Sequence, residues 1–259
     1  MSSDVQPEID WAHWLQRWDA QQEGYVPDRE TRFSVMLDVL DELMPDSFVA
    51  LDLGCGPGSI SQRLLARFPA ARAIAVDIDP VMIAIGRGAV GTVDGRLRWI
   101  ETDLASPDWP AALGEVQVDA VLSSTALHWL WPDSLAALYG DLGRMLRPGG
   151  ALLNGDHMAF DDTAPTFGRL SDRLVGDQWT DDSFAARGIE TAEQWWDAVA
   201  AEPAFAPLLA DRVARFAGMR RQESPPGFDA HVTALRDAGF AEVGTVWQVL
   251  SDRVLLAVR

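Results

Sequence analysis

The sequence predicts an α/β fold, a doubly wound and mostly parallel sheet with helices on both faces and a helical cap inserted late in the chain. Three observations carry this expectation. An apolar run, Val49 to Leu53, breaks into Gly54-Cys55-Gly56-Pro57-Gly58 before an apolar helix that starts near Ser59. Further strand-like runs alternate with helical patterns, and two end on acids, the apolar Ala73 to Val76 on Asp77 and Arg98 to Thr102 on Asp103. After these, Leu235-Arg236-Asp237-Ala238-Gly239-Phe240 leads into two β-rich runs, Val243 to Val249 and Val254 to Val258.

Taken in order, the chain opens with Trp11, Trp14, Leu15 and Trp18 at helical spacing, followed by Gly24-Tyr25-Val26-Pro27. The tryptophan stripe reads either as packing against a later segment or as a lid over the site, and, if exposed, as a dimer contact. A second helix through Phe33, Met36, Leu37 and Leu40 should pack on the sheet. In the glycine turn the backbone must bend sharply and approach a ligand closely, while the following helix offers unpaired N–H groups to polar atoms. Asp79 before Pro80 has the pattern of a helix cap.

Val118 to Ser124 reads as a buried fourth strand running into a polar loop, Ser124-Thr125-Ala126-Leu127-His128, where doubly wound sheets bind ligands. A helix follows from Pro132-Asp133 through Leu135, Leu138, Leu142 and Met145. Arg147-Pro148-Gly149-Gly150 stop it before the strand Ala151-Leu152-Leu153. Between 157 and 227 three amphipathic segments appear, Phe167 to Val175, Ala192 to Ala201 and Phe205 to Phe216. They are separated by Gly176-Asp177, Pro203 and Pro225-Pro226-Gly227, and Trp179, Phe184, Trp195 and Trp196 add aromatic bulk. Such a cap over the carboxyl ends of the strands would build an apolar pocket and exclude water. The expected division is 1–48 as N-terminal helices or lid, 49–156 as cofactor core, 157–227 as cap, and 228–259 as closing helix and β pair.

Composition limits the function. A chain of 259 residues at 48% hydrophobic can bury one large α/β domain. A net charge of -18 opposes binding to phosphate backbones and anionic membrane surfaces. Arg212, Arg215, Arg220 and Arg221 are the local exception, read as a solvated helix end. No signal peptide or transmembrane stretch is evident, and the single Cys55 cannot close an intramolecular disulfide, so a reducing cytoplasm is the expected setting. One cysteine and four scattered histidines supply no metal-ligand cluster.

The spacing Gly54-x-Gly56-x-Gly58 lacks the third glycine of the dinucleotide fingerprint. With the acids, the Pro-Gly-Gly turn and the Ala-Gly-Phe segment, Asp52-Leu53-Gly54-Cys55-Gly56-Pro57-Gly58 instead resembles the class I S-adenosylmethionine-dependent methyltransferases. The resemblance covers residues 29–156 and 228–259. It implies a Rossmann-like seven-stranded sheet with one antiparallel strand and S-adenosylmethionine as cofactor. It also implies that Asp77 meets the ribose hydroxyls and Asp103 the exocyclic amine of adenine. The cofactor-binding set it suggests is Asp52, Gly54, Cys55, Gly56, Gly58, Asp77, Ile78, Asp103, Leu104 and Ser124. Tyr25 would face the sulfonium, and Arg29 or Arg32 the methionine carboxylate. Ala126-Leu127-His128-Trp129-Leu130 and Arg67-Phe68-Pro69-Ala70-Ala71-Arg72 are most similar to enzymes of the trans-aconitate methyltransferase type. Those relatives carry Asn and Gln where this chain has Ser124 and His128, so the acceptor does not carry over.

The reaction this implies is methyl transfer to a small-molecule acceptor by in-line displacement, leaving S-adenosylhomocysteine, in a setting such as secondary metabolism. Alignment of the reacting atoms supplies much of the acceleration, so no enzyme nucleophile is required. For a hydroxyl or acidic-carbon acceptor a general base helps, and His128 and His157 are the two candidates at the catalytic edge. His13 and His231 carry no signal. A carboxylate acceptor would call on a cap arginine such as Arg169 or Arg173. Two other classes stay open: a protein that binds the same cofactor without methyl transfer, and a nicotinamide-dependent oxidoreductase, which leaves Asp103 and the closing segment without a role.

Overall fold

The computed structural model describes residues 9–26, 28–176, 181–219 and 225–259; Trp179, Arg220 and Arg221 lie outside the described residues. Seven strands form one sheet: β1 (Val49–Leu53), β2 (Arg72–Asp77), β3 (Leu97–Glu101), β4 (Val118–Ser124), β5 (Leu146–His157), β6 (Glu242–Val249) and β7 (Asp252–Val258). Their spatial order is β3-β2-β1-β4-β5-β7-β6. Strands β1 to β5 pair in parallel, and β7 is antiparallel to both β5 and β6, so it is the one antiparallel strand. The order reverses between β1 and β4, the switch point at whose carboxyl ends such sheets bind ligands.

The pleat sorts the strand residues onto two faces. Small side chains at Ala50, Ala73, Ala75 and Ala120 line one face and let α2 (Arg29–Leu43), α3 (Ser59–Arg67) and α4 (Pro80–Ala89) approach closely. Phe33, Met36, Leu37 and Leu40 of α2 pack there, as their spacing predicts. Larger residues, Leu51, Leu53, Ile74, Val76 and Val121, line the other face beneath α5 (Trp109–Leu113), α6 (Pro132–Met145) and α11 (Phe228–Asp237). Helix α5 has only five residues, too few to show a period in sequence. Strand β5 begins at Leu146, ahead of the predicted Ala151, because Leu146 pairs with Val118 of β4 and Gly149 and Gly150 exchange backbone bonds with Arg259. No described helix is long and apolar enough to cross a membrane.

The insertion contains α7 (Pro165–Gly176), α8 (Asp181–Arg187), α9 (Ala192–Ala201) and α10 (Ala206–Phe216), with a short 3₁₀ turn at Pro203–Phe205. Helix α8 escapes the sequence reading because its seven residues carry little apolar periodicity beyond Phe184. Helix α1 (Trp11–Tyr25) joins the insertion to the core. Its Trp14 and Leu15 pack with Val81, Met82 and Ile85 of α4 and with Trp195, Val199 and Phe205. The rings meet edge to face, Trp14 lying 5.9 Å from Trp195 and 5.1 Å from Phe205, and Trp18 5.2 Å from Trp195. Of the two readings of the tryptophan stripe, these contacts support packing. Trp195→Ala removes the hub of this cluster, and urea unfolding should report a loss of about 3–5 kcal/mol; an unchanged midpoint would mean that the insertion docks by other contacts.

Candidate active site

The site grows from the end of β1. Gly54 and Gly58 hold φ of +62° and +83°, a region L side chains rarely adopt. Space forbids a side chain as well: a Cβ on Gly54 would lie 2.3 Å from the Ala126 Cβ, and one on Gly58 2.4 Å from the Trp99 ring. The turn is therefore packed against the loop that follows β4. Asp77 ties it to β2, its Oδ2 accepting the Gly56 N–H at 2.7 Å and its Oδ1 the Asp79 N–H at 2.9 Å. Burial pushes the Asp77 carboxyl up to about 6, against those hydrogen bonds. The Ile78 amide also favours the carboxylate, and three amides on two oxygens still leave lone pairs for ligand hydroxyls.

The other predicted residues separate into two groups. Ile78 and Asp103 sit half-buried at the ends of β2 and β3, and Leu104 packs partly into the core; Asp103 Oδ1 accepts the Ala105 N–H at 2.8 Å. The Ser124 Oγ, at the end of β4, is buried without a hydrogen-bond partner. These lie at the carboxyl edge with the glycine turn. Asp52, Cys55, Tyr25 and Arg32 are directed elsewhere. Asp52 is buried and accepts the Ser61 hydroxyl at 2.6 Å, tying β1 to α3; burial raises its carboxyl to about 7. The buried Cys55 thiol turns to the Gly56 carbonyl, and burial pushes its pKa well above the ordinary value. The Tyr25 hydroxyl accepts the Ala192 N–H at 3.0 Å and its ring lies 4.5 Å from Phe184, so it fastens α1 to the insertion. Arg32 is fully buried and pairs with Asp252 at 2.7 Å. Arg29 pairs with Asp19 at 2.9 Å. Asp52, Cys55, Tyr25 and Arg29 thus have protein partners, whereas Arg32 has the Asp252 charge beside it while its Nε and Nη1 are buried without a hydrogen-bond partner. Asp19 also accepts the Ser59 hydroxyl at 2.6 Å, which holds α1 across the start of α3.

The two candidate bases differ in support. Asp156, near the end of β5 and fully buried, lies 2.7 Å by its Oδ1 from the His128 Nδ1 and accepts the His128 backbone N–H at 3.1 Å on Oδ2. It also accepts the His157 N–H at 2.8 Å. His128 Nδ1–H donates to the carboxylate, which leaves Nε2 as the acceptor on a side chain 23% exposed. Burial opposes the imidazolium, but the Asp156 charge and hydrogen bond outweigh it, and His128 titrates above its ordinary value. Burial would likewise raise Asp156, yet the same pairing holds it low. His157 Nδ1 lies 3.2 Å from the Ser251 hydroxyl and 3.6 Å from Asp252. Asp156 was missed in sequence, although an acid beside His157 at the end of a buried strand was a signal. His231 was also passed over; it is buried, lies 2.6 Å from the Tyr139 hydroxyl, and burial lowers it to about 4.

The basic segment of the insertion is no solvated helix end. Arg212 Nε reaches Asp79 at 2.6 Å, and its guanidinium lies 4.1 Å over Trp196 and 4.7 Å over Phe216. Arg215 pairs with Glu101 at 3.0 Å and donates to the Ile78 carbonyl at 3.2 Å. Helix α10 is thereby clasped to the ends of β2 and β3.

Residues 50–150 match the model of a family described as a methyltransferase domain. Over 137 residues the chain is 37% identical to trans-aconitate 2-methyltransferase of Azoarcus sp. (strain BH72), covering 52% of this chain and 49% of that one. It superposes with TM-score 0.55 and 19% identity on an O-methyltransferase family protein from Burkholderia thailandensis, covering 95% of this chain and 70% of that one. Magnesium protoporphyrin IX methyltransferase from Synechocystis PCC 6803, solved with bound S-adenosylhomocysteine, gives TM-score 0.53 at 16% identity, covering 96% and 95%. At such identities the structures share the fold. The chain spans about half the length of the curated relatives it matches.

Residues 50–150 thus match a methyltransferase domain, and the sheet order and the neighbours it superposes on are those of the class I S-adenosylmethionine-dependent methyltransferase fold. The chain resembles the trans-aconitate methyltransferase group, and S-adenosylmethionine is the cofactor that this likeness implies. The side-chain-free turn, the remaining lone pairs of Asp77 and the unpartnered Ser124 hydroxyl fit that molecule.

Calorimetric titration of Asp77→Ala with S-adenosylmethionine should show binding weakened by about 1–3 kcal/mol, because the turn and the ligand lose a charged acceptor together. An unchanged dissociation constant would remove Asp77 from the site. A second expectation concerns pH. Asp52, raised to about 7, binds its proton more readily folded than unfolded, so its contribution to stability declines as pH rises from about 4 to about 7. Asp52→Asn should gain thermal stability relative to wild type across that window, and a pH-independent difference in midpoint would contradict the assignment.

Proposed function

We propose that this chain transfers the methyl group of S-adenosylmethionine to a small-molecule acceptor at the carboxyl edge of the sheet, with His128 as general base. The observation that carries this reading is the His128–Asp156 pair, held in the loop whose Ala126 abuts Gly54 of the cofactor turn. Base and cofactor turn are thereby packed together. Further support comes from Asp77, Ile78, Asp103, Leu104 and Ser124, which cluster along the same edge and form the cofactor set of this proposal. Residues 157–227 act as the cap, with α10 clasped over the β2–β3 end through Arg212 and Arg215.

When bound, S-adenosylmethionine supplies an electrophilic methyl on a sulfonium. His128 Nε2 accepts the proton of the acceptor hydroxyl as the oxygen attacks. Asp156 fixes the tautomer that exposes Nε2 and stabilises the imidazolium that forms, remaining ionised throughout. The cap excludes water from the reacting atoms.

With an acceptor found by screening for S-adenosylhomocysteine release, His128→Ala should lower kcat by roughly 10²–10⁴ while leaving cofactor affinity intact. Full turnover in that variant would end the general-base role. Wild-type activity should rise with pH through a value above the ordinary histidine range, since the neutral ring is the active form. Asp156→Asn removes the anion that holds the proton on His128, so the acidic limb should move to lower pH as kcat falls; a limb that stays in place would separate Asp156 from the titration.

A further inference from the structure

The carboxyl ends of β2 and β3 gather negative charge beside the glycine turn. Asp77 accepts the Gly56 and Asp79 amides, and Glu101 stands opposite Asp77 in the β2–β3 register. Asp79 caps α4, its Oδ1 accepting the Val81 N–H at 3.0 Å. The Asp79 side chain is buried, and a buried charge needs a partner. Helix α10 of the insertion brings one: Arg212 Nε donates to Asp79 Oδ2 at 2.6 Å, on the oxygen that the helix cap leaves open. The Arg212 guanidinium lies against the Trp196 and Phe216 rings, which hold it there.

Arg215, one helical turn further on, grips the same point through the backbone. Its Nη1 donates to the Ile78 carbonyl at 3.2 Å, while Nη2 reaches Glu101 at 3.0 Å and Asp211 at 2.6 Å. The Ile78 carbonyl and the Asp79 N–H belong to one planar peptide unit. That unit receives a cation on its oxygen and donates from its nitrogen to Asp77 Oδ1 at 2.9 Å. A cation on the carbonyl polarises the amide and strengthens the bond it donates. It also fixes the plane from which Asp77 is held.

We propose that Arg212 and Arg215 are positioning residues for the cofactor: by neutralising Asp79 and holding the Ile78–Asp79 peptide, they keep Asp77 charged and aimed at the ribose hydroxyls. This inference rests on the reading that the chain binds S-adenosylmethionine with Asp77 as ribose acceptor. It gives the insertion a part in cofactor affinity as well as a part in covering the acceptor. The charged and titratable groups around Asp77 are Asp52 on β1, Cys55 in the turn, Asp79, Glu101 and Asp103 at the strand ends, and the two arginines with Asp211 on α10. Burial, then the Asp79 charge, push the Asp77 carboxyl up to about 6. The ionised form accepts the ribose hydroxyls, so affinity falls as pH drops through that value. With the Arg212 charge removed, Asp79 stands uncompensated beside Asp77, and the fall begins at higher pH.

Calorimetry with S-adenosylhomocysteine on the full chain, from about pH 5.5 to about pH 8, reads this directly. Wild type and Asp77→Ala come first: no binding by wild type, or an unchanged dissociation constant in Asp77→Ala, overturns the cofactor reading and this inference with it. Arg212→Met, which keeps an apolar stem on Trp196 and Phe216, should weaken binding about tenfold near pH 6 and far less near pH 8. Its acidic limb should lie at higher pH than that of wild type, and Arg212→Lys, which restores the charge, should return it. Asp52, raised to about 7, titrates in wild type and variant alike, so the displacement between them reports Arg212. Asp79→Asn removes the opposing charge and keeps a helix cap, so its limb should move to lower pH; this variant decides the matter if Arg212→Met does not fold. Arg215→Met should weaken binding about threefold or more across the range. With Asp77→Ala weakened as expected, a limb that stays in place in Arg212→Met or in Asp79→Asn, or an unchanged affinity in Arg215→Met, overturns the proposal and leaves α10 as packing alone.

Discussion

The buried carboxylate of Asp156 is the constraint on which the site depends. A charge removed from water is tolerated only when hydrogen bonds and an opposite partner surround it. Asp156 obtains them from the His128 ring, the His128 amide and the His157 amide, so one side chain fixes the ends of both β4 and β5. The loop after β4 cannot relax away without stranding that charge. Its Ala126 lies against Gly54, so the positions of His128 and of the glycine turn are set together.

A second organising feature is the use of arginine. Every basic side chain of the 21 is Arg, and the planar fork suits buried or half-buried pairing better than an ammonium does. Arg32 with Asp252, Arg29 with Asp19, Arg212 with Asp79 and Arg215 with Glu101 each join segments distant in sequence. The insertion thus meets the core by two kinds of contact, an aromatic cluster around Trp195 and ion pairs along α10. The half-exposed pairs add modest energy and mainly direct where α10 rests.

The insertion also divides its helices by purpose. Helices α9 and α10 spend their aromatic and charged faces on the core, whereas α7 is joined to the turn before β7 through the Ser171 and Ser251 hydroxyls.

The sequence by itself determined the sheet, the glycine turn and the acids at strand ends, because strand alternation, glycine backbone freedom and helix capping act over a few neighbouring residues; the cofactor class came from the family resemblance those residues carry. It located His128 and the α7, α9 and α10 segments for the same reason. Only the tertiary structure decided which groups answer one another. Arg32 and Tyr25 carried the right chemistry for a cofactor, yet Asp252 and the Ala192 amide, far along the chain, engage them instead. Asp156 gained its role only when β4 and β5 came side by side in register, and Arg212 and Arg215 became a clasp only when α10 reached the ends of β2 and β3. Pairing of buried charges is a long-range decision: it depends on which partner the fold brings within about 3 Å, and no local pattern encodes that distance.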